Sequence, residues 1–125
     1  MPKPRPKNLD LRTIRLPLPG VVSIFHRISG ALLFLFGIPL LLLALQRSLH
    51  SRDSFEALGQ LLANPLSKLA LLGFAWAFWH HLCAGVRFLL LDIHEGVQID
   101  AARRSSLWVL GVSLLLTLVT GVTLW

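Results

Sequence analysis

The stretch LALLGFAWAFWHHLCAGV, residues 69–86, decides the fold: it contains no charged residue, yet it carries two adjacent histidines, His80 and His81. An imidazole at the depth of a bilayer is costly unless something engages it, so this position is where function is to be sought. Two more uncharged runs flank it, Ile28 to Gln46 and Ser105 to Trp125. Each approaches the roughly 20 residues that a helix rising about 1.5 Å per residue needs to cross a hydrocarbon core about 30 Å thick.

Buried helices of a soluble bundle carry a polar face at the 3.6-residue period, whereas Ala31-Leu32-Leu33-Phe34-Leu35-Phe36 and Leu114-Leu115-Leu116 are apolar all round. With 54% hydrophobic residues in a chain of 125, the composition is that of one membrane domain spanning 1–125. The fold class is therefore all-α integral membrane, with three transmembrane helices.

A net charge of +6 would suit nucleic acid, but the N-terminal cluster Lys3, Arg5, Lys7, Arg12, Arg15 lacks interleaved aromatics to stack bases, so nucleic acid is not an expected partner. Membrane topology accounts for the charge better. With the N-terminus in the cytoplasm, those five residues and Arg27, Arg87, Arg103 and Arg104 lie inside, against Arg47, Arg52 and Lys68 outside. The bias predicts a cytoplasmic N-terminus and a periplasmic C-terminus. Met1 to Pro19 has no apolar core for a cleavable signal, and its prolines spoil an amphipathic transit helix. A bacterial inner membrane is the expected location. Cys83, alone in the sequence, has no partner for an intrachain disulfide.

Residues 1 to about 19 are expected to form an extended cytoplasmic arm, because Pro17 and Pro19 disfavour helix before them. The three helices are expected at about 21–48, 65–93 and 104–125, with Pro39 available to bend the first. A short interfacial helix suits the outer connection, where Phe55, Leu58, Leu61 and Leu62 recur at helical spacing. Asn64 and Pro65 suit the N-cap and first turn of the second span, and His94-Glu95-Gly96 its end.

At about 100 degrees per residue, His81 shares a direction with Phe74, Ala77, Phe78, Gly85, Phe88 and Asp92. Gly85, one turn away, leaves space for a flat group or another helix. His80 points elsewhere, so both histidines cannot serve one iron from the same face. A neutral histidine gluing helices together is the structural alternative to a haem ligand or proton carrier. Near the cytoplasmic end of the first span, Ser23 and Arg27 are one turn apart and His26 sits beside them. Read blandly, Arg27 snorkels to the head groups. Read together, a hydroxyl, a guanidinium and imidazoles in one layer suit a planar redox ligand.

These residues carry a resemblance. Arg5-Pro6-Lys7-Asn8-Leu9-Asp10-Leu11, Ser23-Ile24-Phe25-His26-Arg27-Ile28-Ser29-Gly30, and His81-Leu82-Cys83-Ala84-Gly85-Val86-Arg87 with Asp92 resemble the cytochrome b556 membrane-anchor family of succinate dehydrogenase, over nearly the whole chain. The resemblance implies a four-subunit complex (respiratory complex II). A flavoprotein subunit holding FAD oxidises succinate, an iron-sulfur subunit carries electrons to the membrane, and two three-helix anchors hold haem b and ubiquinone. This chain would supply half of that haem-binding bundle. It implies His81 as one axial haem ligand, the second anchor providing the other. It also implies Ser23 and Arg27 as quinone-binding residues, and His26 and Arg27 near the haem propionates. Phe88 departs from the family pattern, which puts one propionate or water contact in doubt. The chain has neither a CxxC cluster motif nor a dinucleotide fingerprint, so FAD and iron-sulfur centres are expected only in partner subunits. The alternatives are the anchor of a fumarate reductase or another quinone-linked dehydrogenase, and a non-redox membrane assembly protein whose histidines only pack.

Overall fold

The computed structural model describes residues 13–125 and is helical throughout apart from short connections. The segment Arg5 to Leu11 that carries part of the resemblance and most of the expected N-terminal arm lie outside the described residues. Helix one comprises α1 (Leu18–Leu32), a π-turn (Leu33–Gly37) and α2 (Ile38–His50). It is followed by α3 (Arg52–Ala63), α4 (Pro65–Asp92) and α5 (Ile99–Leu124). Helix one, α4 and α5 are each long and apolar enough to cross a membrane, which makes this an integral membrane all-α fold. The 28 residues of α4 reach about 42 Å at about 1.5 Å per residue, so its ends emerge beyond the hydrocarbon.

Two helices start earlier than the sequence suggests. Helix one begins at Leu18 rather than near Val21, because Pro19 falls in its first turn, where the missing N–H would have had no partner. The third span begins at Ile99 rather than near 104: extended Gln98 is its N-cap, and Asp100 in the first turn suits the positive end of the helix dipole. Arg103 and Arg104 simply continue the helix on its wet side. The other boundaries have clear local causes. The Asn64 side chain accepts from the Leu66 N–H at 2.8 Å ahead of Pro65, and Ser51 and Ser54 form a reciprocal capping box at the start of α3. After α4, His94 and Gly96 take left-handed φ values of 64° and 74°, turning the chain toward α5.

The core where α1, α4 and α5 meet is built from small residues: Val22, Ala77, Ala84 and Val109 are buried, as are Ser29, Ser106, Ser113 and Thr117. The α5 hydroxyls are satisfied within their own helix, Ser106 donating to the Ala102 carbonyl at 2.7 Å and Thr117 to the Ser113 carbonyl at 2.7 Å. Small side chains with satisfied polar groups let the helices approach closely, the packing that suits lipid surroundings. Large apolar side chains point outward instead. Phe34 is 70% and Leu41 69% exposed, a surface that water would not tolerate but lipid or a membrane partner covers.

Candidate functional site

His81 and His26 meet between α4 and α1. Their rings stack with centroids 4.3 Å apart and planes 10° from parallel. Nδ1 of His81 lies 3.0 Å from the His26 carbonyl oxygen, the geometry of an N–H donor to a backbone acceptor. The Ser29 hydroxyl donates to the same carbonyl at 3.0 Å and sits 3.4 Å from that Nδ1. With the proton held on Nδ1, the lone pair of Nε2 is left available, the arrangement in which a protein presents an imidazole to a metal.

The approach depends on Gly30. A Cβ placed there would fall 2.7 Å from Cε1 of His81, closer than atoms can pack, so only glycine lets α1 carry the ring at this distance. At Gly85 it is a neighbouring helix that approaches: a Cβ there would meet Nε2 of His26 on α1 at 3.6 Å, an ordinary contact. Phe88 completes this edge, with its ring 5.1 Å from His26 and the Arg87 guanidinium 5.4 Å above it.

The two neighbouring histidines have opposite environments. His81 is half-buried and open on one side, whereas His80 is 0% exposed. The His80 ring stacks on Trp76 at 5.2 Å and meets the edge of Phe25 at 5.9 Å. Neither of its nitrogens completes a hydrogen bond, although the Val22 carbonyl is near. A group arriving from outside the chain can reach His81 and not His80.

Ser23 and Arg27 project from α1 on the same side, Ser23 half-buried and Arg27 exposed. No hydrogen bond joins them to each other or to the histidines among the described residues. The structure thus brings His26 and His81 together and leaves Ser23 and Arg27 open. Three contributors were not assigned a role from sequence: Ser29, Gly30 and the His26 carbonyl, which act across 51 or more positions of chain. Arg87, buried, donates from Nε to Ser105 Oγ at 2.9 Å and from Nη2 to the Ala102 carbonyl at 3.4 Å, tying the end of α4 to the start of α5.

The donor set fits one kind of metal group. No cluster of three or more His, Cys, Asp or Glu residues exists among the described residues, so an all-protein metal cage has no basis here. A haem, whose porphyrin already supplies four nitrogens, would need only an imidazole from this chain, and His81 fits that need with Nε2 left free.

Known proteins resemble this chain along most of its length. Residues 1–120 match the family described as succinate dehydrogenase/fumarate reductase transmembrane subunit. The chain is 39% identical over 122 residues to the succinate dehydrogenase cytochrome b556 subunit of Coxiella burnetii, covering 97% of both chains. It is 34% identical over 116 residues to the protein of that name from Paracoccus denitrificans, covering 93% of this chain and 88% of the other. With the Rickettsia felis protein it shares 31% over 115 residues. A family match over most of the chain and relatives at 31–39% identity show that the chain belongs to the succinate dehydrogenase/fumarate reductase transmembrane subunit family.

Proposed function

We propose that this chain is a haem-b-carrying membrane anchor of succinate dehydrogenase and forms part of the site where electrons from succinate reach ubiquinone. The observation that carries the proposal is the fixed tautomer of His81: Nδ1–H donates to the His26 carbonyl and Nε2 is left to ligate iron. Haem b, when bound, supplies a one-electron reservoir whose potential depends on axial ligation and burial. A second anchor subunit would contribute another histidine to hold the haem, and the two would together complete the bundle. His26 and Arg27, adjacent on α1, would lie near the haem propionates, Arg27 contributing charge and His26 its place against the ligand ring.

Ser23 and Arg27 are assigned to quinone. The Ser23 hydroxyl donates to a carbonyl oxygen, and the Arg27 guanidinium stabilises negative charge that develops on the ring as it is reduced. The exposure of Arg27 supports this role, since its donors make no hydrogen bond among the described residues. FAD and the iron-sulfur clusters reside in the flavoprotein and iron-sulfur partner subunits, so this chain alone does not oxidise succinate. The excess of basic residues at one set of helix ends supports an N-terminus in the cytoplasm, a C-terminus in the periplasm and residence in a bacterial inner membrane. The relatives' names favour the succinate-oxidising direction over fumarate reduction.

The test separates the quinone step from assembly. Arg27→Leu in the intact complex is expected to lower succinate-dependent quinone reduction about 10- to 100-fold, the worth of one charged hydrogen bond of about 1.5–3 kcal/mol. Succinate oxidation by a soluble artificial acceptor should be nearly unchanged. Unchanged quinone reduction would contradict the assignment, whereas equal loss of both activities would point to failed assembly instead.

A further inference from the structure

Beyond the π-turn, helix one leaves α4: α2 makes no close backbone approach to α4 among the described residues, and α3 bridges the gap between them. The opening is a groove of about 1,050 Å³, walled by Leu41 and Ala44 of α2, Ala57 and Leu61 of α3, and Ala70 and Phe74 of α4. Its lining is apolar with one formal charge, Arg47.

Arg47 lies in the last turn of α2, one residue past the uncharged run, at the level where the hydrocarbon ends. Its backbone is anchored, because Ser54 Oγ donates to the Arg47 carbonyl at 2.6 Å. Its guanidinium is exposed and makes neither a hydrogen bond nor an ion pair among the described residues; the nearby Arg52–Glu56 pair forms within α3 at 3.1 Å. From Arg47 the groove runs back to Gly37, ten residues or about 15 Å of helix, about half of a hydrocarbon core some 30 Å thick. A cation at head-group depth above an apolar channel one leaflet long matches an amphiphile with an anionic head.

We propose that this groove is a phospholipid site, with the phosphate diester held by Arg47 and acyl chain lying between α2 and α4 toward Phe74. An isoprenoid quinone tail has no charge to meet the guanidinium, and a partner helix would have to bring a carboxylate there. The proposal rests on the membrane placement alone and is independent of the haem and quinone reading.

The test uses the complex in native membranes, with the photoreactive residue benzoylphenylalanine at Leu61. After irradiation and purification, the intact mass of the chain should increase by that of a phospholipid. Arg47→Gln should lower the labelled fraction about tenfold while Arg47→Lys keeps it, and Ala57→Trp, which fills the groove, should abolish it. Equal labelling in Arg47→Gln would mean passing bulk lipid and would overturn the proposal, as would capture of another subunit or of quinone. The reduced haem band of the same samples reports assembly and the haem reading separately.

Discussion

At the scale of single residues, the proposed function rests on how one imidazole is held. His81 is held by a stack on His26 and a bond from Nδ1, so shifting its ring sacrifices both contacts. Gly30→Ala should therefore displace it, at a cost of about 1–3 kcal/mol for overpacking. The measurement is haem per assembled complex, expected to fall severely. Gly85→Ala, whose new Cβ makes only a 3.6 Å contact, should retain haem. In the sequence, facing and the resemblance carried by Gly85 and Arg87 put His81 forward over His80. The partners that lock it were not, because Ser29 and Gly30 meet α4 only after the helices pack. Composition also gives no sign that His80, next to the candidate ligand, is shut into the core by Phe25 and Trp76.

At the scale of elements, the three uncharged runs announced three spans, and the caps at Asn64 and after Asp92 announced their limits. The π-turn was less visible. Pro39 has no N–H for the Leu35 carbonyl and its ring crowds that oxygen, and the wider turn at Leu33–Gly37, closed by the Ile38 N–H on the Leu33 carbonyl, absorbs the mismatch. Proline alone signals a disturbance, not whether the helix kinks or widens. The capping box at Ser51 gives a direct test: Ser51→Ala removes about 1 kcal/mol from the start of α3, and amide exchange in its first turn should accelerate roughly fivefold. At the opposite end of α4, Arg87→Leu breaks the tie to Ser105 and Ala102 without touching His81. The complex should keep its haem band and lose thermal stability by several degrees, read as inactivation temperature.

At the scale of the molecule, the described chain is an incomplete bundle. Its own core is a thin seam of small residues, its large apolar side chains face outward, and its candidate ligand opens away from the core. Such a surface makes sense between lipid and other subunits. The expected orientation can be checked in a Cys83→Ala background: Gln98→Cys should react with an impermeant thiol reagent only from the cytoplasmic side, and His50→Cys only from the periplasmic side. The most direct test of the central claim is the dithionite-reduced minus oxidised spectrum of membranes carrying the intact complex. His81→Ala should lose the b-type band while His80→Phe, which keeps the core filled, retains it. An unchanged band in His81→Ala would contradict the account.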